Sequence, residues 1–453
     1  MKYNLVVVGS GPGGLKAATR AASSGLKTAL IEKADIGGTC LNWGCIPTKM
    51  YLGATASSPL LHTQEKAKTA SGSLSFNLPT LMQKKDRFIK GTRSAAEKQL
   101  GSLGVDILNG TASFSNPTTL TVTNDEGSTE VAFDKLIIAT GSMPTAFPGL
   151  EPDGDCVLNS SHVLTLTEAP ESLIIVGAGA IGLEMGDFFS RLGTKITIVE
   201  ALPSLAPTED PDVGETFRKI LKREKWGIRT GEKVQSLKTV NGEAVLTFES
   251  GETLTADKAL MAAGRKPASE SLNPAAAGIE CIGAGWIATD DNLLAAENIY
   301  AIGDINGRTL LAHAADHQAC YAVDHAAGKI TAAYDSGPMP ACIYGHTDVM
   351  RVGPNTADLQ KAGHTVETST SMLVANPIAQ SYGSTQGFVK ALWVDNKVHG
   401  IVAVGHGVSH LVAAATIIVK QQWTQDDVHS IIWAHPTLDE ALEMALLAPR
   451  KPA

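Results

Sequence analysis

Two stretches of the chain place apolar runs, glycine turns and helical segments in the same order. The first, YNLVVVGSGPGGLKAATRAASSGLKTALIEK, begins at Tyr3, and the second, SLIIVGAGAIGLEMGDFFSRLGTKITIVE, begins at Ser172. Each pattern is typical of a β-strand, a tight turn, an amphipathic helix and a second strand that ends in glutamate. The sequence therefore predicts two βαβ units.

Three glycines at the spacing G-x-G-x-x-G open the helix of each unit. They are Gly9, Gly11 and Gly14 in the first unit and Gly177, Gly179 and Gly182 in the second. The first glycine allows the tight turn, the second lets backbone N–H groups approach a pyrophosphate, and the third lets the helix pack on the strand. One such fingerprint is weak evidence, but two with matching strands predict two dinucleotide sites.

Each unit ends in an acidic residue, Glu32 or Glu200, at the same distance after its first glycine. A carboxylate at this position accepts hydrogen bonds from a ribose hydroxyl. At Glu200 it would also repel a 2′-phosphate, so the second site is predicted to prefer NAD over NADP. The spacing disfavours the alternative, in which Glu200 only solvates the end of a strand.

Strand-rich segments with turn signals follow both units. Turns are predicted at Asn116-Pro117, Asn124–Gly127, Asn241-Gly242 and Ser250-Gly251. The first copy is the longer one, and its extra chain includes the segment GGTCLNWGCIPTK at 37–49. The last part of the chain, from about residue 335, opens with the loop-like DSGPMPACIYGHTDV, continues in alternating strands and then becomes helical. It predicts a separate α+β domain.

The inserted segment holds a cysteine pair, Cys40 and Cys45. Five residues of regular helix rise about 7.5 Å, which exceeds the Cα separation of about 7 Å that a disulfide tolerates. A bond between the two therefore needs a distorted turn, and the neighbouring glycines allow one. Pro47 suits the first turn of a following helix, whose N-terminus would stabilise a thiolate on Cys45. These features indicate an exchange-active disulfide, and since no second ligand pair accompanies it, no metal site is expected.

A second candidate for thiol chemistry lies near the C-terminus, where Glu440 follows His435 by five residues in AHPTLDE. Thiol–disulfide exchange needs a base that takes a thiol proton near neutral pH, and histidine does so best when a carboxylate orients it. A histidine before proline is more often structural. Alongside two dinucleotide sites and a cysteine pair, a role as the base is favoured.

Composition narrows the class of protein further. A chain of 453 residues has room for about three domains. The net charge of -9 argues against a nucleic acid or an anionic membrane as partner. The N-terminus lacks the pattern of a signal peptide, and no apolar run reaches the 20 or so residues of a membrane span. We therefore expect a cytoplasmic protein.

Together, the paired fingerprints, the cysteine segment, AHPTLDEAL and the motif IYAIGDI at 299–305 resemble the FAD- and pyridine-nucleotide-dependent disulfide oxidoreductases over essentially the whole chain. The resemblance implies an α/β fold of two Rossmann-like FAD- and NAD-binding domains plus a C-terminal α+β dimerisation domain. The implied bounds are 1–143 and 269–334 for the FAD domain, 144–268 for the NAD domain and 335–453 for the interface domain.

The same resemblance implies the reaction and its residues. The expected enzyme oxidises protein-bound dihydrolipoamide with NAD⁺ through a Cys40–Cys45 disulfide and FAD, with Cys45 facing the flavin and Cys40 exchanging with substrate. Besides the fingerprint glycines and the two glutamates, the implied cofactor-binding residues are Lys49 with Glu184, Ala112, Gly141, Asp304, Ala312, Val234 and Gly264. His435 and Glu440 would complete the site of the other subunit of a homodimer.

The partner implied is a lipoyl-bearing protein of a 2-oxoacid dehydrogenase or glycine cleavage complex. Two alternatives remain open at this point. One is a related NAD(P)H-dependent reductase that acts on another small or protein disulfide. The other is a flavoprotein docking subunit, which would not need Cys40, Cys45, His435 and Glu440 together.

Overall fold

The computed structural model describes all 453 residues. The α-helices are α1 (Pro12–Ser23), α2 (Gly38–Trp43), α3 (Cys45–Ala54), α4 (Ser57–Lys66), α5 (Leu78–Ser102), α6 (Ala180–Arg191), α7 (Pro211–Arg223), α8 (Ala312–Ala326), α9 (Thr356–Lys361), α10 (Pro377–Ser381), α11 (Val412–Gln421), α12 (Gln425–His429) and α13 (Glu440–Leu447). None of them combines the length and the apolar character that crossing a membrane would require.

The β-strands of the first half of the chain are β1 (Lys2–Val8), β2 (Thr28–Glu32), β3 (Asp106–Asn109), β4 (Thr111–Asn116), β5 (Thr119–Asn124), β6 (Gly127–Ile138), β7 (Ser142–Pro144), β8 (Val157–Leu158), β9 (Ser172–Val176), β10 (Lys195–Glu200) and β11 (Gly227–Thr230). Those of the second half are β12 (Val234–Val240), β13 (Glu243–Phe248), β14 (Thr253–Ala256), β15 (Lys258–Met261), β16 (Arg265–Pro267), β17 (Cys281–Ile282), β18 (Trp286–Ile287), β19 (Leu294–Ala296), β20 (Ile299–Ala301), β21 (Pro340–Ile343), β22 (Asp348–Val352), β23 (Glu367–Met372), β24 (Gly387–Val394), β25 (Lys397–Gly405) and β26 (Lys451–Pro452).

The chain forms two compact units, each built from three separate segments. The first unit comprises Met1–Pro47, Gln83–Thr145 and Gly264–Ser336, and the second comprises Thr48–Met82, Ala146–Ala263 and Gly337–Ala453. The finer division into FAD, NAD and interface domains at the bounds given above stays a prediction.

An eight-stranded sheet forms the centre of the first unit. Its main path runs β19-β20-β6-β1-β2-β3, and the antiparallel pair β4 and β5 extends from β6. Strands β1, β2, β6 and β20 are parallel, and Val8 pairs with both Ile31 and Ile138. Helices such as α1 and α8 cover the sheet. Strands buried in this way have few polar positions, and these strands are nearly continuously apolar. Their carboxyl ends meet at one edge, where the first fingerprint turn begins.

The second unit contains a parallel sheet of the same kind. Its strand order is β11-β10-β9-β15-β8, and Val176 at the end of β9 pairs with both Val199 and Met261. A three-stranded antiparallel sheet, β12-β13-β14, follows the second βαβ unit as β4 and β5 follow the first. The two predicted βαβ units are thus confirmed.

The C-terminal part of the second unit is a six-stranded antiparallel sheet in the order β21-β22-β25-β24-β23-β26. Trp393 on β24 is fully buried, and its indole N–H donates to Ser369 Oγ at 2.7 Å. Helices α11 and α13 cover this face of the sheet with Ile418 and Leu442. On the other face, Phe388 joins the core that contains α6. This arrangement is the α+β domain that the sequence predicts.

All four predicted turns connect adjacent antiparallel strands. The loop expected at 335–349 is only partly correct, because strand β21 lies within it. Its proline and glycine content conceals a strand at the edge of the sheet, where Pro340 tolerates the loss of an N–H donor.

Lys390 on β24 forms ion pairs with two carboxylates beside the start of α7. Its Nζ lies 2.7 Å from Asp210 Oδ2 and 2.7 Å from Asp212 Oδ2. Asp210 is buried and also accepts the backbone N–H and the hydroxyl of Thr356. Burial alone would raise the pKa of Asp210, but the bonds from Lys390 and Thr356 outweigh burial and hold that pKa below its usual value.

Lys390→Met should lower the free energy of unfolding by about 3–5 kcal/mol at pH 7, because it leaves Asp210 buried without its cation. Since the pKa of Asp210 is depressed in the folded state, this stabilisation is present above the unfolded pKa of about 3.9 and is lost as the pH falls through the folded pKa. Urea unfolding at several pH values measures the difference, which should shrink below about pH 4. Lys397→Met, on the exposed start of β25, is the control, and an equal loss in both variants would contradict the assignment.

Candidate functional site

The first fingerprint turn lies at the carboxyl edge of the first sheet and is fixed by Glu32. Glu32 Oε2 accepts the backbone N–H of Ser10 at 2.8 Å and its hydroxyl at 2.6 Å. Gly9 has a φ of 97°, and a Cβ there would lie 2.4 Å from the carbonyl oxygen of Ala139. Only glycine fits this close crossing of β1 and the end of β6.

The same turn has the features that a dinucleotide needs. A Cβ placed on Gly11 would meet nothing within 4 Å, so the side of the turn to which a side chain would point is open. Helix α1 begins at Pro12, and its N-terminus favours a negatively charged phosphate. Beside it, Thr140 Oγ1 is buried and has no hydrogen-bond partner within the protein. An unsatisfied buried hydroxyl indicates a missing polar ligand, and these residues fit the predicted FAD.

Other predicted FAD residues lie in the same unit. Gly141 has a φ of 71° and follows the last residues of β6, while Ala112 is buried on β4 and Ala312 begins α8. Asp304 accepts the hydroxyl of Ser142. That hydroxyl in turn accepts the Nε–H of Arg265 at 2.7 Å, so a partly buried network fixes Asp304.

The cysteine segment starts directly on the first fingerprint turn. The backbone N–H of Gly37 donates to Ser10, at 3.1 Å from both its carbonyl oxygen and its hydroxyl oxygen. A Cβ on Gly38 would lie 2.6 Å from the Cα of Gly11. The cysteine segment and the predicted FAD turn are therefore in direct backbone contact.

Two short helices carry the cysteines. Cys40 is half-buried on α2, whereas Cys45 is exposed and is the first residue of α3. Gly44 separates the helices with φ −147° and ψ −109°, a conformation that breaks the regular helix. The distorted turn and the helix N-terminus at Cys45 both agree with the sequence analysis, although the roles of the two sulfurs stay predictions.

The second fingerprint turn repeats the geometry of the first. Glu200 Oε2 accepts the backbone N–H of Ala178 at 2.8 Å, and its Oε1 accepts that of Leu202 at 2.9 Å. Gly179 faces open space as Gly11 does, and a Cβ on Gly182 would lie 2.0 Å from the carbonyl oxygen of Gly177. The turn fits the predicted NAD.

Two further residues predicted for the NAD site are distant in sequence from the second fingerprint turn. Val234 is the first residue of β12 and packs beside the core of the second parallel sheet. Gly264 belongs to the first unit, where its carbonyl oxygen accepts the N–H of Thr145 at 3.1 Å. The structure itself assigns neither residue a contact with a nucleotide.

Lys49 and Glu184 form the predicted ion pair in the second unit, with Lys49 Nζ 2.6 Å from Glu184 Oε2. Tyr344 supports both partners. Its backbone N–H donates to Glu184 Oε1 at 3.1 Å, and its ring centroid lies 4.7 Å from the Lys49 ammonium. Burial raises the pKa of Glu184, and the nearby Lys49 opposes that shift.

His435 and Glu440 are brought together as predicted. Nδ1 of His435 lies 2.8 Å from Glu440 Oε1, and the backbone N–H of Thr437 donates to Glu440 Oε2 at 2.8 Å. The hydrogen bond from His435, followed by that from Thr437, holds the pKa of Glu440 below its usual value. The imidazole is 71% exposed in the single chain, so Nε2 can face another molecule.

Sequence reasoning missed several residues of these sites. They are Ser10, Thr140, Ser142, Arg265 and Tyr344. Ser10 could have been found, because it lies between two fingerprint glycines and the second copy has Ala178 there. The others act through contacts between distant segments, which leave no periodic signal in the chain.

Comparison with known proteins agrees with this geometry. Residues 3–319 match the family model described as pyridine nucleotide-disulphide oxidoreductase, and residues 339–446 match the dimerisation domain of that family. The chain therefore belongs to the pyridine nucleotide-disulphide oxidoreductases. Membership confirms the predicted enzyme class, its use of FAD and NAD and the C-terminal dimerisation domain, and the last of these supports a homodimer.

Full-length relatives share about a third of the sequence. The dihydrolipoyl dehydrogenase of Chlorobaculum tepidum is 34% identical over 452 residues, covering 98% of this chain and 96% of that protein. The mitochondrial dihydrolipoyl dehydrogenase 1 of Arabidopsis thaliana is 33% identical over 459 residues, covering 98% and 90%.

Solved structures show the same fold. The HOCl-induced flavoprotein disulfide reductase RclA from Escherichia coli has a TM-score of 0.87 and 26% identity, covering 98% of this chain and 99% of that one. LpdA from Mycobacterium tuberculosis has a TM-score of 0.89 and 24% identity, with the same coverage. The second likeness concerns the fold alone.

The position of Glu200 predicts that NAD(H) is used at least tenfold more efficiently than NADP(H), because the carboxylate repels a 2′-phosphate. Glu200→Gln should reduce that preference by about tenfold, the effect of about 1.4 kcal/mol of repulsion. The measurement is the ratio of kcat/KM values for the two cofactors. Glu215→Gln, exposed on α7, is the control. A wild-type preference for NADPH, or an unchanged ratio in Glu200→Gln, would overturn the assignment.

Proposed function

We propose that this protein oxidises protein-bound dihydrolipoamide to lipoamide, with NAD⁺ as the acceptor, through bound FAD and a Cys40–Cys45 disulfide. The observation that carries the proposal is the backbone contact between the cysteine segment and the first fingerprint turn, at Gly38 and Gly11. A thiol pair fixed beside a dinucleotide site is suited to exchange electrons with it. The name that the Chlorobaculum and Arabidopsis relatives share supports dihydrolipoamide as the substrate.

The chain's own residues account for the sulfur chemistry. His435 takes the proton of one substrate thiol, and the resulting thiolate attacks Cys40, forming a mixed disulfide as Cys45 leaves as a thiolate. The second substrate thiol then attacks the substrate sulfur of the mixed disulfide, and its proton passes to Cys40, which leaves as a thiol. The substrate becomes a disulfide, and the Cys40–Cys45 bond is replaced by a Cys40 thiol and a Cys45 thiolate, with the other substrate proton on His435. Glu440 orients His435 through the hydrogen bond at Nδ1.

The cofactors connect this sulfur chemistry to the nicotinamide. Bound FAD would supply the conversion between two-electron sulfur chemistry and hydride chemistry. The residues proposed to hold it are Gly9, Gly11, Gly14, Glu32, Ala112, Gly141, Asp304 and Ala312, with Lys49 and Glu184 beside the flavin. The residues proposed to hold NAD are Gly177, Gly179, Gly182, Glu200, Val234 and Gly264. The open spaces at Gly11 and Gly179 support both sites.

The proposal includes the other subunit and a larger complex. His435 of one subunit would serve the cysteine pair of the other, which agrees with its exposure in the single chain. The dihydrolipoyl group would arrive on a lipoyl-bearing protein of a 2-oxoacid dehydrogenase or glycine cleavage complex in the cytoplasm. The match to a dimerisation domain supports the first of these statements.

A second candidate is a reductase that uses the same cysteine pair in the opposite direction. The structural likeness to RclA, described as an HOCl-induced flavoprotein disulfide reductase, favours it. A substrate panel separates the two functions: dihydrolipoamide with NAD⁺, against glutathione disulfide and small disulfides with NADH or NADPH. Faster turnover of a disulfide other than lipoamide would replace the first proposal with the second.

Cys40→Ser and Cys45→Ser should each lower dihydrolipoamide turnover by about 10⁴-fold or more, as the loss of a catalytic nucleophile does. Both variants should retain bound FAD, because Glu32 and Ser10 hold the fingerprint turn. Steady-state NADH formation and the flavin absorbance of the purified protein are the measurements. Cys281→Ser, at an exposed cysteine on β17, should retain activity. Normal turnover by either Cys40→Ser or Cys45→Ser would refute the proposal.

His435→Gln should lower kcat/KM for dihydrolipoamide by about 10²–10⁴-fold, the usual contribution of a positioned base. Glu440→Gln should cause a smaller loss. Because the pKa of Glu440 lies below its usual value, this carboxylate is ionised throughout the neutral range, so its own titration should add no step to the pH profile of wild-type kcat/KM between pH 6 and pH 8. His429→Gln, at an exposed histidine that ends α12, is the control. Equal activity of His435→Gln and the control would exclude His435 as the base.

A further inference from the structure

Asn42 lies on α2 between the two cysteines and is buried, with 4% of its surface exposed. Its Nδ2 donates to the carbonyl oxygens of Gly38 at 3.0 Å and Ile36 at 3.2 Å. Its Oδ1 accepts Nε of Arg93, from α5, at 2.6 Å. Both ends of this amide are therefore engaged, and the cysteine helix is fastened through a side chain that takes no part in thiol chemistry.

Arg93 connects this amide to the chain that follows β2. Its Nη1 lies 2.8 Å from Asp35 Oδ1 while its Nε binds Asn42. The planar guanidinium holds two acceptors at once in a fixed relative position. Asp35 lies just before the glycines that start the cysteine segment. One cation thus joins the base of that segment to the helix that carries Cys40.

We propose that Arg93 and Asn42 are positioning residues of the redox pair: they hold α2 so that Cys40 stays within bonding reach of Cys45 when the disulfide is open. The inference rests on the proposed function only in taking Cys40–Cys45 as a redox disulfide. Opening that bond consumes two electrons and two protons and gives two thiols. Glutathione supplies both in the test described below, as two molecules are oxidised to one glutathione disulfide.

The physical reason is preorganisation. Two thiols that are held close together form a disulfide more readily than two on a loose segment, because less conformational freedom is lost on closure. Without Arg93, Asn42 Oδ1 becomes a buried acceptor that lacks a hydrogen-bond partner. This destabilises the present position of α2, and the helix should become more mobile. The reduced form, with two thiols, then gains conformational entropy that the disulfide form does not gain. The equilibrium should shift toward the dithiol.

The test uses the full chain with its cofactors, equilibrated in glutathione buffers of known ratio and quenched with an alkylating reagent. Mass spectrometry of the peptide with Cys40 and Cys45 gives the oxidised fraction. Arg93→Ala should lower the equilibrium constant for disulfide formation by about tenfold, which equals a rise of about 30 mV in reduction potential. Arg93→Lys keeps the positive charge but cannot bind two acceptors in a fixed geometry. Its equilibrium constant should lie between those of wild type and Arg93→Ala. Arg87→Ala, exposed on the same helix, should match wild type.

Asn42→Ala and the double variant with Arg93→Ala complete a cycle. If the two residues act only through their contact with each other, the double variant should shift the equilibrium no further than the single variant with the larger shift. An unchanged equilibrium constant for disulfide formation in Arg93→Ala would overturn the inference, even if the Tm were lower. The contact between Arg93 and Asn42 would then be only structural. The inference is also overturned if wild type forms no Cys40–Cys45 disulfide in any of the glutathione buffers. If the shifts occur but dihydrolipoamide is not turned over, only the proposed function fails.

Discussion

The hydrogen bonds that Glu32 accepts from Ser10 are the constraint on which the first site depends. They fix the turn after β1, and through Ser10 they also fix Gly37 and the start of the cysteine segment. The second copy has Ala178 in place of the serine, and there Glu200 accepts only the backbone N–H of that residue. Ser10 has a hydroxyl that Ala178 lacks, and it accepts the N–H of Gly37 through this hydroxyl as well as through its carbonyl oxygen, so the first turn also holds the start of the cysteine segment.

Much of the fold could be predicted from local patterns. Buried apolar runs, fingerprint glycines and Asn-Gly or Asn-Pro turns act within a few residues, and the βαβ units and hairpins they predict are present. The failure at 335–349 has the same origin, because Pro340 and the glycines resemble a loop. What makes that segment a strand is its pairing with β22, which in turn pairs with β25 from much later in the chain, and this second pairing is invisible in the local pattern.

The candidate site divides in a similar way. Residues with a fixed spacing could be predicted, and His435 and Glu440 do meet at 2.8 Å. Residues that act through tertiary contacts could not, as Arg93 and Asn42 show: they come from different helices, and nothing in the sequence of α5 distinguishes Arg93 from its exposed neighbours. The unpaired hydroxyl of Thr140 is a further case, since only the folded structure reveals that it lacks a partner.

The interleaved segments of the two units also set the order in which the chain can fold during synthesis. The central sheet of the first unit begins with β1, yet β20, which pairs with β6, and the core residues Leu272 and Ile299 come much later. That sheet cannot close until the ribosome has passed the whole of the second unit's segment Ala146–Ala263. The edge of β6 stays unpaired for that time, and exposed strand edges promote aggregation. Translation speed between residues 146 and 301 should therefore influence the yield of native protein.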